Sequence, residues 1–158
     1  MDVCLRQCFV IMSRDRPHLL RQALKALFAH CDFIINVYVS DNSTTIENSQ
    51  AVELICKQFD VGLRVSNNVS IAQHYHDVFT DLKFTFLTIL HDDDLVIPGF
   101  VDSVLCEIDS EPSFSVFGFN GLLFKSIPHN KDASISRYFP CFSTLRSGTD
   151  ILLESPFD

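Results

Sequence analysis

The most constraining feature of this sequence is the stretch from Phe84 to Phe100, FTFLTILHDDDLVIPGF. Its first part, Phe84 to Leu90, is an apolar, aromatic and β-branched run of strand length, which is typical of a strand buried on both faces of a parallel sheet. Asp92, Asp93 and Asp94 follow almost directly. Adjacent carboxylates repel one another, and a counter-cation relieves that repulsion where hydration is partly lost. Because carboxylate oxygens are hard ligands, the triplet predicts a Mg²⁺, Mn²⁺ or Ca²⁺ site, with an acidic surface turn as the alternative.

Short apolar runs alternate with segments of helical spacing along most of the chain. The order β-α-β-α-β-α-β-α-β predicts an α/β fold, with a mostly parallel, doubly wound, Rossmann-like sheet and helices on both faces. The predicted strands are Cys8–Met12, Phe33–Val39, Leu63–Val65, Phe84–Leu90 and Phe114–Phe119. The first predicted helix begins at Pro17. The later predicted helices cover Ile46–Phe59, Ile71–Leu82 and Phe100–Ile108, and a last helical fragment lies near Asp150 to Glu154.

Composition excludes some classes of protein. The net charge is −8 and no basic stripe is present, so nucleic acid is not an expected partner. No apolar run reaches the roughly 18 residues of a membrane span, and the N-terminus lacks a secretory layout. The six cysteines contain no CxxC pair and are interpreted as buried free thiols in a reducing cytoplasm. The predicted location is therefore cytoplasmic, with peripheral association at the inner membrane face as an alternative.

Polar residues follow four of the predicted strands, at the point where each strand ends. In open α/β sheets, ligands bind outside the carboxyl ends of the strands. These residues are therefore expected to line one edge of the sheet and to form a binding site. They are Ser13 and Arg14, Asp41 and Asn42, Asn67 and Asn68, and Asp92 to Asp94.

The glycine pattern restricts the kind of ligand. The five glycines form neither a G-x-G-x-x-G fingerprint nor a P-loop, which are the glycine-rich cradles that hold phosphates in many α/β proteins. A phosphate at this edge would then have to be held by a metal ion. The combination predicts a metal-bridged nucleotide diphosphate as the ligand.

Four stretches, in this order and at suitable spacing, resemble the family 2 glycosyltransferases of the GT-A fold. The resemblance covers about Phe9 to Ile108. The stretches are FVIMSRDRPHLLRQALKAL, VYVSDNSTT, NNVSIAQHYHDVF and LHDDDLVIPGF. They resemble the family's opening strand and Arg-Pro-led helix, its Asp-containing turn, its Asn-led third helix and its acidic metal motif.

The resemblance implies transfer of a sugar, with inversion, from a nucleotide-diphosphate sugar, most often a UDP-sugar, to a hydroxyl of a glycan or lipid-linked acceptor. Mn²⁺ or Mg²⁺ is the implied cofactor, because a divalent ion bridging the phosphates stabilises the charge of the departing nucleoside diphosphate. Matched residue by residue, the resemblance implies that Asp41 would contact the base and that Ser13 and Arg14 would flank the base or the diphosphate. Asp92 would lie near the ribose or the sugar. Asp93 would bind the metal, and Asp94 would support it. Asn42 and Asn67 complete the expected nucleotide-sugar site.

The sequence also departs from the family pattern. His91 replaces an acid at the first position of the acidic motif, and Ser13-Arg14-Asp15 replaces the commoner Thr-Tyr-Asn. The family's catalytic base lies downstream of the metal motif, where the remaining acids stand in no recognised motif and are interpreted as solvated residues. Those acids are Asp150, Glu154 and Asp158.

No catalytic base is therefore assigned, and the chain is interpreted as ending before it. Residues 1–123 form the predicted nucleotide-sugar-binding GT-A core, and residues 124–158 the incomplete start of an acceptor-side region. Two alternatives stay open beside an active glycosyltransferase. One is a nucleotide-sugar-binding fragment or pseudoenzyme without turnover, and the other is a non-enzymatic α/β module with an acidic metal-binding turn.

Overall fold

The computed structural model describes residues 7–29, 31, 35–110, 121–125 and 134–139. The chain divides into two compact units, residues 1–110 and residues 111–158. In the first unit the described strands are β1 (Gln7–Ser13), β2 (Asn36–Asp41), β3 (Gly62–Val65) and β4 (Phe86–His91). The helices of that unit are α1 (Pro17–Ala29), α2 (Ile46–Phe59), α3 (Ile71–Asp81) and α4 (Phe100–Ser110). None of the helices in the described part of the chain is long and apolar enough to cross a membrane.

The four strands of the first unit form one sheet in the order β3-β2-β1-β4, and every neighbouring pair is parallel. This arrangement confirms the predicted α/β, Rossmann-like fold. In the register of the sheet, Ser13 lies opposite Asp41, and Met12 lies opposite His91. The parallel register therefore brings the carboxyl ends of β1, β2 and β4 to the same edge.

The core lies on both faces of β1, whose seven residues are all buried. On one face, the ring of Phe9 lies 6.4 Å from the ring of Phe100 at the start of α4. On the other face, Cys8 and Val10 pack with Val78 of α3 in one buried cluster. Side chains from neighbouring positions of a strand point to opposite faces, so helices cover the sheet on both sides as predicted.

Local sequence signals set where the helices begin and end. Thr45 caps α2, its hydroxyl accepting a hydrogen bond from the backbone N–H of Asn48 at 3.2 Å. Ser70 caps α3 in the same way from Gln73, also at 3.2 Å, and such caps satisfy backbone donors that a helix start leaves free. Asp60 ends α2 with a left-handed conformation at φ 54°. The two caps fix where α2 and α3 begin. They therefore set the length of the turns that precede these helices, and these turns lie at the polar edge of the sheet.

The prediction that the strand before the acidic triplet is buried on both faces is wrong. In β4 only Thr88 is buried, and the other five residues are partly exposed. Among the described strands β4 lies at the end of the sheet, beside β1 alone. The strand buried throughout is β1, which lies between β2 and β4 and has side chains of α3 and α4 packed on its two faces.

Other element boundaries shift by a few residues. β2 ends at Asp41 instead of Val39, so the carboxylate predicted to follow this strand is its last residue. The predicted strand Phe114–Phe119 and the helical fragment near Asp150 to Glu154 lie outside the described residues.

The described part of the second unit is an antiparallel pair, β5 (Gly121–Lys125) with β6 (Ser134–Phe139). The register of this pair shifts between Leu123 and Phe124. The proposed division into residues 1–123 and 124–158 stays a prediction.

Cys8, Cys56 and Cys106 are free thiols, as predicted. Cys8 and Cys56 are buried, but Cys106 is exposed, so the prediction that the thiols are buried is wrong for Cys106. Burial raises the pKa of the Cys8 thiol to about 12 and that of Cys56 to about 11. Since the thiolate is the reactive form, burial disfavours reaction at these two core cysteines.

Candidate functional site

The polar turns at the carboxyl edge are held in register by backbone hydrogen bonds that continue past the strands. The N–H of Asn42 donates to the carbonyl of Ser13 at 2.9 Å, and that of Asp92 donates to Met12 at 3.0 Å. The N–H of Ser66 donates to the carbonyl of Asp41 at 2.7 Å. Since neighbouring strands lie about 4.8 Å apart, the turns after the four strands together span about 14 Å. The predicted site residues therefore share one edge.

Asp92 is the buried anchor of the acidic turn. Its side chain is 0% exposed, and its Oδ2 accepts hydrogen bonds from the Ser13 hydroxyl at 3.0 Å and from the Arg14 backbone N–H at 3.3 Å. Burial raises the pKa of the Asp92 carboxyl above its usual value, although the Ser13 hydrogen bond and the charge of Arg16 oppose that rise. The structure thus joins Ser13, Arg14 and Asp92 directly, as a group that connects β1 with β4.

Arg16 is a site residue that sequence reasoning missed. One guanidinium nitrogen, Nη2, lies 2.5 Å from Asp92 Oδ1, and the other, Nη1, donates to Asp93 Oδ2 at 2.8 Å. The side chain of Asp93 is 51% exposed and that of Arg16 is 40% exposed. The only sequence signal for Arg16 is its position directly before Pro17 in the Arg-Pro-led start of α1.

Asp94 closes the acidic turn onto its own backbone. Its Oδ2 accepts a hydrogen bond from the N–H of His91 at 2.9 Å, and its N–H donates to the His91 carbonyl at 3.0 Å. His91 Nε2 in turn lies 2.7 Å from the hydroxyl of Tyr75 in α3. Burial and the nearby Asp94 charge raise the pKa of the Tyr75 phenol. Asp94 is therefore placed to shape the turn that presents Asp93.

Asp41 contains a buried oxygen that lacks a partner. The residue is 0% exposed, and its Oδ1 accepts hydrogen bonds from the N–H and the hydroxyl of Ser43 at 3.1 and 2.6 Å. Its Oδ2 has no hydrogen-bond partner among the described residues. Because burying a polar atom without a partner costs free energy, this oxygen marks a place where a ligand donor would be favourable.

Asn42 and Asn67, both predicted at the site, differ in role. Asn42 is buried and clamps the loop before α3, since its Nδ2 donates to the carbonyl of Val69 at 2.9 Å and its Oδ1 accepts from the Val69 N–H at 2.8 Å. Asn67 is exposed and lines an open groove of about 770 Å³ together with Thr44 and Ser66. Asn42 therefore fixes the shape of the edge, whereas Asn67 lies where a ligand could reach it.

A second residue missed by sequence reasoning is Asp15, which ties two of the turns together. Its Oδ1 accepts from the Thr44 N–H at 2.8 Å and from the Asn48 side chain at 3.0 Å, and its Oδ2 accepts from the Thr44 hydroxyl at 2.9 Å. These hydrogen bonds, led by the Thr44 backbone, lower the pKa of Asp15. The residue adopts φ 56°, a left-handed conformation that Asp and Asn tolerate better than most residues. Its neighbour Arg14 reaches towards the third strand and donates to Asn68 Oδ1 at 2.9 Å.

A divalent cation at the acidic turn would need ligands beyond the carboxylates of the turn. Within the described part of the chain, no group of three or more His, Cys, Asp or Glu side chains is placed to hold a metal ion. Mg²⁺ sites in nucleotide enzymes commonly use one or two carboxylates, with the remaining ligands supplied by waters and substrate phosphates. The half-exposed carboxylate of Asp93 suits that arrangement, whereas one oxygen of Asp94 is engaged in the turn.

A buried histidine lies in α3, against the strand that carries Asp41. His74 is 4% exposed, and its Nε2 lies 2.7 Å from the hydroxyl of Ser40. Burial lowers the pKa of His74, the positive charge of Arg64 adds to this effect, and Asp41 and Asp77 oppose it. The folded protein therefore favours the neutral imidazole.

Because the pKa of His74 is lowered in the folded protein, we expect the free energy of unfolding to decrease in mild acid. The unfolded chain binds the proton at about pH 6.5, and the folded pKa is lower. The contribution of His74 is thus present above pH 6.5 and is lost as the pH falls towards the folded pKa. Urea unfolding between pH 7.5 and 5.5 should show a smaller decrease in the free energy of unfolding for His74→Gln than for the wild type. His76→Gln, at an exposed position of the same helix, should keep the wild-type decrease, and an equal decrease in all three proteins would contradict the assignment.

Comparisons with known proteins support the fold. No family model matches this sequence, and no curated protein matches it either. Crystal structures of S. aureus TarS, a glycosyltransferase, do match. For TarS residues 1–349 the TM-score is 0.56 at 17% identity over 68% of this chain. A longer TarS structure gives 0.57 at 16% identity over 78%, and TarS 1–349 in complex with UDP gives 0.56 at 16% identity over 68%.

The TarS structures match at low sequence identity, and this chain covers only part of their length. This chain spans 33% of the 1–349 structures and 23% of the longer one. At such low identity the likeness shows the fold alone, which is an α/β, Rossmann-like fold with a parallel sheet. One of the structures with this fold binds UDP.

Proposed function

We propose that this chain binds a nucleotide-diphosphate sugar at the carboxyl edge of its sheet and belongs to a metal-dependent glycosyltransferase that transfers the sugar, with inversion, to an acceptor hydroxyl. The observation that carries the proposal is the set of polar turns gathered at one edge of a sheet whose fold is shared with UDP-bound TarS. A UDP-sugar is the proposed donor, and a glycan or lipid-linked hydroxyl is the proposed acceptor.

The residues at the edge can be given distinct roles in this function. The partnerless Oδ2 of Asp41 would accept a hydrogen bond from an N–H of the nucleotide base. Ser13 and the Arg14 backbone hold Asp92, which would face the ribose or the sugar. The Arg14 side chain supplies a positive charge near the base or the diphosphate.

Asp93 would hold Mn²⁺ or Mg²⁺, with Asp94 supporting it through the turn. A divalent ion bound there supplies counter-charge for the departing nucleoside diphosphate. Inversion by a single displacement also needs a base beside the acceptor hydroxyl, and no described residue is assigned that role.

Nucleotide-sugar binding without turnover is the second candidate. It is favoured by the pairing of Asp93 with Arg16 at 2.8 Å, which already engages the carboxylate proposed to hold the metal. Binding and turnover have different requirements, since the donor site described above can be complete without any acceptor-side residue.

Isothermal titration of UDP in the presence of Mn²⁺, and again with a chelator, tests donor binding. Because the metal ion is proposed to bind both Asp93 and the diphosphate, we expect the chelator to weaken UDP binding. GDP is the comparison nucleotide. Asp93→Asn should reduce the affinity measured with Mn²⁺ by about tenfold, within the usual range of coupling between two bound ligands. Asp109→Asn, at an exposed position in α4, removes the same charge and should leave the affinity unchanged.

The two candidate functions differ in the fate of the donor. Incubation with UDP-glucose and Mn²⁺ should release UDP if the chain is competent for turnover, and should leave the donor intact if the chain only binds. Absence of heat with either nucleotide, in a chain shown to be folded by circular dichroism, would contradict both candidates.

A further inference from the structure

The most unusual feature of the acidic turn is the arginine that already occupies it. Arg16 uses two different nitrogens: Nη1 donates a hydrogen bond to Asp93 Oδ2 at 2.8 Å, and Nη2 forms an ion pair with Asp92 Oδ1 at 2.5 Å that lacks hydrogen-bond geometry. A single guanidinium therefore bridges two neighbouring carboxylates. Arginine is suited to this task because its donors form a rigid planar fork and its charge is permanent.

The two halves of this bridge are unequal. The Asp92 side chain is 0% exposed and is also held by Ser13 and the Arg14 backbone, so its pair with Arg16 lies in a fixed, desolvated setting. The Asp93 side chain is 51% exposed. Ion pairs with such exposed partners contribute little net stability and exchange readily with water and ions. The contact between Arg16 and Asp93 is therefore the one that a ligand can replace.

The bridge has a consequence for metal binding. A divalent cation that approaches Asp93 meets the positive guanidinium of Arg16 a few ångströms away, and charges at such distances repel strongly near a protein surface. A diphosphate at the same edge adds negative charge, which can pair with both the cation and Arg16. The turn should thus attract a divalent cation weakly when empty and more strongly when a diphosphate is present.

We propose that Arg16 is an internal counter-cation of the acidic turn, which hinders Asp93 from binding a divalent cation until a diphosphate arrives. This inference rests on the proposed function, because it concerns the same metal-binding carboxylate. It makes Arg16 a positioning and coupling residue: it sets the order in which metal and nucleotide are taken up. By thermodynamic linkage, the nucleotide raises metal affinity by the same factor as the metal raises nucleotide affinity.

The direct test is titration of Mn²⁺ alone into the nucleotide-free protein. Arg16→Gln should bind Mn²⁺ about tenfold more tightly than the wild type, as expected for the loss of one nearby charge interaction. Arg21→Gln is the matched control, since it removes the same charge from α1, which Arg16 directly precedes, and Arg21 contacts Gln58 instead of the acidic turn. Its Mn²⁺ affinity should equal that of the wild type. Equal or weaker Mn²⁺ binding by a folded Arg16→Gln protein would overturn the proposal.

A second variant keeps the test valid if Arg16→Gln does not fold. Arg16→Lys retains a positive charge to pair with buried Asp92, but the compact lysine ammonium lacks the planar fork with which the guanidinium reaches both carboxylates. Asp93 is then released, and a smaller gain in Mn²⁺ affinity of about threefold is expected from partial loss of the repulsion. Wild-type affinity in Arg16→Lys, together with a misfolded Arg16→Gln, would also overturn the proposal.

The outcome is separable from that of the proposed function. Mn²⁺ binding to the nucleotide-free chain does not depend on whether UDP binds. If UDP does not bind while Arg16→Gln gains Mn²⁺ affinity, the donor-site proposal fails and the counter-cation role of Arg16 stands. If UDP binds, the factor by which UDP raises Mn²⁺ affinity should be smaller in Arg16→Gln than in the wild type, and an unchanged factor would contradict the coupling.

Discussion

Replacing Asp41 with Asn is expected to weaken UDP binding strongly while leaving the fold at least as stable as before. Asp41 is 0% exposed and its Oδ2 has no partner among the described residues, so a donor from the nucleotide base would complete its hydrogen bonding. A hydrogen bond to a charged group contributes about 1.5–3 kcal/mol, which corresponds to a loss of roughly 10- to 100-fold in affinity. Isothermal titration of UDP with Mn²⁺ measures this loss.

The stability of the same variant should move in the opposite direction. Asn keeps an Oδ1 acceptor for the N–H and hydroxyl of Ser43, the two donors that Asp41 binds, and replaces the buried charge by a neutral amide, whose Nδ2 takes the place of the partnerless oxygen. The free energy of unfolding is therefore expected to rise by about 1 kcal/mol, since a buried charge with an incomplete set of partners costs more than a buried neutral amide. A gain in stability at the expense of binding is typical of a residue kept for function.

An exposed acid provides the control for both measurements. Asp60 caps α2 with φ 54° and is exposed, and Asn tolerates that conformation as well as Asp does. Asp60→Asn should change neither UDP affinity nor stability. If Asp41→Asn bound UDP like the wild type, or lost stability as a well-paired buried charge would, the role of Asp41 as a ligand acceptor would be excluded.

The fold was largely predictable because its signals are local and repeated. Pro17 opens α1 where predicted, and the alternation of apolar runs with helical spacing predicts the parallel sheet that is observed. The burial of individual strands was not predictable in the same way. The apolar run that ends in β4 looks more buried than β1 in sequence, yet position within the sheet decides burial, and the order β3-β2-β1-β4 places β1 inside.

Only those residues of the candidate site that lie at the ends of strands were predictable from the sequence. Ser13, Asp41 and Asp92 were placed at one edge because parallel strands end together, and Ser13 does contact Asp92. The contacts of Asp15 and Arg16 depend on the left-handed turn at φ 56°, which redirects the chain before α1. No periodic pattern encodes such a turn, so residues that act through it become visible only in three dimensions.

Replacing Phe9 with Ala is expected to have the largest effect on stability. Phe9 is 0% exposed in the central strand, and its ring lies 6.4 Å from that of Phe100 in an edge-to-face arrangement. Removing a buried phenylalanine ring typically costs about 3–5 kcal/mol, because transfer free energy is lost and a cavity remains. Total stabilities of single domains are only about 5–15 kcal/mol, so the variant should unfold at a much lower urea concentration.

Phe79→Ala is the matched control, since Phe79 in α3 is 58% exposed and its replacement should cost less than about 1 kcal/mol. Similar losses in the two variants would contradict the assignment of β1 as the centre of the core.

Ligand binding shows whether Phe9→Ala lowers only the free energy of unfolding or also disturbs the geometry of the candidate site. UDP with Mn²⁺ at about 100 times its Kd should stabilise any correctly folded form by about 2.7 kcal/mol. Because Ser13 and Arg14, at the end of the same strand, hold Asp92 through defined hydrogen bonds, Phe9→Ala should gain this full amount if the carboxyl edge is intact. A smaller gain would mean that the packing around Phe9 also positions the acidic turn.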